Sequence, residues 1–142
     1  MAGQSMRSFE MTEVVTRGLD ECLSDAFTIA TDDCDGVFLS VDIDVVDPGM
    51  APGTGTPEPG GLTGRQLLDA VRRIAMEMPL AGMDVVEVSP PYDHAEITAY
   101  LAGRVVLEAL SGIAWRRRRE AGNPVRRPAD PLLANRRPHQ AR

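Results

Sequence analysis

The sequence predicts an α/β fold in which helices cover a parallel sheet, and three observations carry that expectation. Two short runs, "VFLSVDID" (residues 37–44) and "AGMDVVEVS" (residues 81–89), are rich in valine, leucine and isoleucine with little polar alternation, the pattern of parallel strands covered on both faces. Helical patterns with their own start signals separate and follow these runs. Strands alternating with helices of this length imply crossover connections and a layered α/β domain.

Taken in order, "RSFEM" (residues 7–11) is expected to form a short first strand. Val15, Leu19, Cys22, Leu23, Ala26, Phe27 and Ala30 then recur at helical spacing, so a helix is expected from about Thr12 to Ala30. The acidic turn "TDDCDG" leads into the strand 37–44, which Asp47 and Pro48 bring to an end. Residues 48–61, "PGMAPGTGTPEPGG", hold four prolines and five glycines, which excludes regular structure and suits a shaped functional loop. Thr63 followed by Gln66 makes a capping box, so the next helix should begin at Gly64. After the strand 81–89 and its "PP" stop, Asp93 and Glu96 repeat the capping logic for a helix over 94–111 that ends at Gly112. From Arg116 to Arg142 arginine and proline take over, which predicts a disordered, solvated tail.

The chain of 142 residues is long enough for one domain with a real core. Its net charge of −6 is unevenly spread. Residues 1–115 hold 19 acids against 6 arginines, whereas residues 116–142 hold 9 arginines against 2 acids. The acidic body repels nucleic acid, and the tail lacks aromatic side chains for stacking after Trp115, so no nucleic-acid partner is expected. No basic region followed by an apolar run opens the chain, and no stretch of 18 apolar residues occurs. The expected setting is therefore cytoplasmic, with no membrane partner and with Cys22 and Cys34 as reduced thiols.

Three aspartates within "SVDIDVVDP" (residues 40–48) point to chemistry. In an extended strand Asp42 and Asp44 share one face, roughly 6–7 Å apart, at the C-terminal end where open α/β sheets place ligands. Two ionised carboxylates in a partly dry crevice need a compensating cation, and a divalent metal supplies it. With oxygen ligands alone Mg²⁺, Ca²⁺ or Mn²⁺ would suit, and added imidazoles would move the choice toward Mn²⁺ or its first-row neighbours. The plainer alternative is that Asp44 and Asp47 cap the turn before Pro48. Glu87, at the end of the next strand, should reach the same rim, whereas Asp84 should lie deeper on the opposite face in a structural role. His94 is expected to be an exposed residue of the following helix rather than a ligand, and His139 falls in the tail.

Together "SVDIDVVDPGMAPGTGTPEPGGL" and "GMDVVEVSPPYDHAEIT" closely resemble the ureohydrolase family of arginase, agmatinase and guanidinobutyrase, and are most similar to its agmatinase-like branch. The resemblance runs from about Arg7 to Ala114. It implies a three-layer α/β/α, arginase-like fold, here a partial domain of about three strands and three helices over residues 1–115, with the tail at 116–142. It also implies a hydrolase acting on C–N bonds of linear amidines, in which a binuclear manganese site activates a bridging hydroxide. That hydroxide attacks the guanidinium carbon of a guanidino substrate such as agmatine, releasing urea and an amine.

Carried over by position, the resemblance makes Asp42 the aspartate that bridges two Mn²⁺ ions and Asp44 the one that chelates a single ion. Thr56 would lie beside the substrate and Glu87 would hold the guanidinium. Relatives are commonly trimers or hexamers, which implies a homo-oligomer. Their upstream half contributes two histidines and two aspartates from "GGDH"-like and "DAHxD"-like motifs, and neither motif occurs here. The catalytic centre expected of this chain is therefore incomplete, and the chain corresponds to a C-terminal half.

Two other functions fit parts of the sequence. A non-catalytic remnant could use the old fold to associate with a full-length relative. "VFLSVDIDVV" also suits a haloacid-dehalogenase-type phosphatase with Asp42 as nucleophile, Asp44 as acid/base and Mg²⁺, although the chain has no lysine to hold a phosphoryl group.

Overall fold

Residues 6–124 are described by the computed structural model. Among the described residues there are two strands and four α-helices, rather than three of each. Residues 7–10 are irregular, and Met11 already begins α1 (Met11–Arg17). Arg7 explains why no strand forms there: its guanidinium pairs with Glu13 at 2.6 Å and lies 4.2 Å from the Phe9 ring, so the segment is held to its own helix rather than to a sheet edge. The single helix expected over 12–30 is broken at Gly18, whose φ of 93° lies outside the helical region, and α2 (Leu19–Ala30) follows.

Strand β1 (Val37–Asp42) pairs in parallel with β2 (Leu80–Val86), with Ser40 opposite Asp84 and Asp42 opposite Val86. Between them α3 (Gly64–Glu77) begins where the capping box places it. Thr63 Oγ1 accepts from the Gln66 N–H at 3.2 Å and Gln66 Oε1 accepts from the Thr63 N–H at 2.8 Å.

The last helix, α4 (Ile97–Glu120), runs straight through Gly112 instead of stopping there. Gly112 is a close-packing point: a Cβ added to it would lie 2.6 Å from the Ala75 Cβ and 2.8 Å from the Arg72 carbonyl. The expected boundary after residue 115 is displaced likewise, because Arg117, Arg118 and Arg119 form the last turn of α4, where positive charge complements the helix dipole. The tail expectation for residues 125–142, His139 included, lies outside the described residues.

The core gathers on one face of the sheet. Val41, Ile43, Val46 and Ala51 pack with Leu67, Val71 and Ala75 of α3 and with Val105 and Ala109 of α4. Across the α3–α4 contact Glu108 is 2% exposed and is bound by Arg72 and, at 2.7 Å, by Arg104. By length and composition α4 could also cross a membrane, yet it carries a buried carboxylate, Glu108, clasped from α3.

Among the described residues nothing covers the opposite face of the sheet. Phe38 is 63% exposed, lying over Gly82, with Ser40, Ala81 and Asp84 exposed beside it. Asp84 is exposed rather than deep, since no second layer among the described residues covers it. A second uncovered surface runs along α4, where Tyr100, Leu107 and Leu110 are spaced seven and three residues apart on one side.

Candidate functional site

The rim of the sheet is built by the chain turning back at the end of β1. The strand stops at Asp42, and Ile43–Val45 form a single 3₁₀ turn. Asp42 and Asp44 therefore do not stand apart by strand alternation, as an extended 37–44 would require. Instead the Asp44 N–H donates to Asp42 Oδ1 at 3.2 Å, which folds one aspartate back beside the other. Ile43, fully buried, anchors the turn in the core.

Glu87 sits just past β2, not within it, and takes a left-handed φ of 63°. A non-glycine residue held there carries a backbone cost that concentrates at functional sites. Burial raises the Asp42 carboxyl above its ordinary value; the Asp44 N–H opposes this, while the Asp44 carboxylate and the charge of Glu87 push the same way as burial. Asp42, Asp44 and Glu87 are thus electrostatically in one neighbourhood. Among the described residues, no group of three or more histidine, cysteine, aspartate or glutamate side chains could hold a metal without further donors. Asp42 and Asp44 fit a divalent cation as a pair of hard oxygen donors, because their mutual repulsion is what such an ion relieves.

The loop 48–61 is ordered by a few specific bonds. Asp47 accepts from the Gly49 N–H at 2.8 Å and the Gly60 N–H at 2.9 Å, and these two bonds, Gly60 first, hold its carboxyl below the usual range. Asp47 is accordingly the aspartate that shapes the turn, as the plainer alternative proposed for it; Asp44 is not. Thr56 donates its hydroxyl to Asp44 Oδ2 at 2.7 Å, so it orients a rim carboxylate directly.

Several residues of the site were not singled out in the sequence. Gly53 is buried, and its N–H donates to Thr98 Oγ1 at 2.7 Å while its carbonyl accepts from the Ser89 N–H at 2.8 Å. Thr54 is 3% exposed, and its hydroxyl has no partner among the described residues. The capping box expected of Asp93 and Glu96 does not form: α4 begins at Ile97 rather than at 94, Glu96 makes no side-chain cap, and Asp93 serves the helix start alone. Its carboxylate accepts from the Thr98 and Ala99 N–H groups at 3.0 and 2.9 Å, whereas Ala95 and Glu96 adopt left-handed φ values of 52° and 59°. His94 is exposed. Cys22 and Cys34 are both free thiols.

A broad cleft of about 1280 Å³ opens elsewhere, beside α3 and α4, and none of the rim residues lines it. Its arginines are largely committed to ion pairs with Asp69, Glu77 and Glu108.

The fold is thus a parallel β-α-β unit with Asp42, Asp44 and Glu87 at its carboxyl rim. Residues 1–112 match the Arginase family, and the chain belongs to it. Proclavaminate amidinohydrolase of Streptomyces clavuligerus is 55% identical over 74 residues, 52% of this chain and 23% of that protein. Agmatinase of Bacillus subtilis is 49% identical over 77 residues, 54% of this chain and 27% of that protein. Among solved structures, a hypothetical agmatinase from Burkholderia thailandensis superposes with a TM-score of 0.68 at 39% identity, covering 80% of this chain and 34% of the other. The chain thus spans about a quarter of the length of these two curated relatives and is a partial domain of the arginase-like fold. Membership in this family removes the phosphatase alternative.

Proposed function

We propose that this chain is the part of an agmatinase-like ureohydrolase that contributes Asp42 and Asp44 to a binuclear manganese site and Glu87 to the guanidinium group of the substrate. The observation that supports the reading is the pairing of Asp42 and Asp44 at the end of β1, where the Asp44 N–H bonds Asp42 Oδ1, with Glu87 just past the end of the adjoining strand β2. When bound, two manganese ions would lower the pKa of water toward neutrality and polarise the substrate. Asp42 and Asp44 would hold the ions, Thr56 would fix the orientation of Asp44, and the planar guanidinium would meet the Glu87 carboxylate. The products of that hydrolysis are urea and an amine. Agmatine or a similar guanidino compound is the proposed substrate, and a homo-oligomer the proposed assembly. A cytoplasmic setting belongs to the same reading.

Manganese titration by calorimetry, with a urea-release assay alongside, tests this proposal. The purified chain should bind Mn²⁺ weakly and release no urea alone, and urea release should appear when the complementary part of a full-length relative is supplied. Equal heats from the wild type and the Asp42→Asn plus Asp44→Asn double variant would refute it. The bare sheet face and the apolar side of α4 favour a second reading, a non-catalytic module that associates with a full-length relative. Its mark would be co-purification with the relative and no urea release from the complex.

A further inference from the structure

We propose that Thr98, backed by Asp93, is a positioning residue that sets the spacing between the paired aspartates and Glu87 through a clasp on Gly53. The proposal rests on reading the rim as the metal- and guanidinium-binding half-site. Both loops that carry rim side chains meet at Gly53. On one side Gly53 leads within three residues to Thr56, which bonds Asp44. On the other its carbonyl receives the N–H of Ser89, two residues beyond Glu87.

Thr98 closes this junction from α4. Its hydroxyl accepts from the Gly53 N–H at 2.7 Å, its own N–H donates to the Asp93 carboxylate at 3.0 Å, and it is 0% exposed. Thr98 thus ties Gly53 through its side chain and Asp93 through its backbone, so one buried residue links the loop to the start of α4. Asp93 in turn is fixed by two N–H groups at the start of α4. The fit leaves no slack: a Cβ on Gly53 would lie 2.6 Å from the Asp93 Cβ. Three left-handed non-glycine residues, Glu87, Ala95 and Glu96, flank the clasp, and such conformations persist only where surrounding bonds over-determine them. Any shift of Thr98 would therefore reach Thr56 and Glu87 together, although Thr98 touches neither the metal-binding carboxylates nor the substrate position.

A purely structural threonine would stabilise the whole fold; a positioning residue acts on the two loops. Amide hydrogen exchange on the full chain separates these roles. In Thr98→Val, which keeps the shape and removes the hydroxyl, exchange at the Thr54 and Ser89 amides should rise about tenfold or more, while the Val71 and Val105 amides stay within about twofold. Thr98→Ser should restore protection. Asp93→Asn, of nearly equal size, should give a smaller rise at the same two amides, and it decides the matter should the valine variant not fold. Unchanged exchange at Thr54 and Ser89, a rise matched by Val71 and Val105, or failure of serine to restore protection would overturn the proposal.

Manganese affinity, measured with the metal alone by electron paramagnetic resonance, gives a second readout, expected to weaken by about 10–100-fold in Thr98→Val and to recover in Thr98→Ser. Equal affinities of the wild type and the valine variant would also overturn the clasp. If the wild type binds no manganese, the half-site reading fails and the exchange data alone decide the clasp.

Discussion

Thr56 reaches across from the proline-glycine loop to hold Asp44 Oδ2 at 2.7 Å, which makes a loop residue the orienting partner of a rim carboxylate. Thr56→Val removes that bond and leaves the threonine shape. The expected result is Mn²⁺ binding weakened by about tenfold in a calorimetric titration, with an unchanged urea midpoint because the residue is exposed.

Arg72 and Arg104 share Glu108 unequally, and their variants should differ. Arg72, the less exposed of the two, crosses between helices, so Arg72→Ala leaves a buried carboxylate short of its interhelical partner and should lower stability by about 3 kcal/mol. Arg104 is more than half exposed and pairs within α4, so Arg104→Ala should cost about 0.5 kcal/mol. Chemical denaturation of the two variants measures the difference, and equal losses would contradict the assignment.

Acid should destabilise the fold through the same carboxylate. Burial pushes Glu108 upward, but the bonds from Arg72 and Arg104 outweigh it and hold the group below its ordinary value of 4.5. A group that titrates lower when folded contributes its stability above the unfolded value and loses it as pH falls through the folded one. Asp47 and Asp93, also lowered, act in the same direction. The urea midpoint should hold steady above about pH 5 and fall below it, and Glu108→Gln should flatten that fall.

Gly112→Ala would drive a methyl into Ala75 and the Arg72 carbonyl. The α3–α4 contact must separate to admit it, and overpacking of this kind costs about 1–3 kcal/mol. Thermal unfolding should reveal it as a lowered midpoint, with Gly103→Ala, where nothing lies within 4 Å, as the neutral or stabilising control.

What could be foreseen from the sequence was what local rules govern. Thr63 and Gln66 sit three residues apart and cap α3 as their spacing predicts, and the two apolar runs became the two strands. Asp42 ends β1 where its apolar run stops, whereas Asp44 lies in the following 3₁₀ turn and Glu87 past the end of β2, because where a strand breaks depends on packing that spacing does not carry. Gly112 misled because a glycine that ends a helix and one that lets two helices touch look alike until the partner, Ala75, is known. Gly18 misled in the other direction, since the apolar spacing continues across it while the backbone does not. The Gly53–Thr98 bond joins positions 45 residues apart and carries no sequence periodicity, so nothing in the chain announces it.

Among the described residues the side of the sheet where Phe38 lies over Gly82 is uncovered, so a partner that seats there would make the folding equilibrium of this chain depend on that partner's concentration. Any polypeptide that seats there and ignores the unfolded chain raises apparent stability by mass action, by about 2.7 kcal/mol at a hundredfold excess over its dissociation constant. Melting temperature measured against added partner is thus itself a binding isotherm, and it can find the occupant of that surface without any assay of turnover.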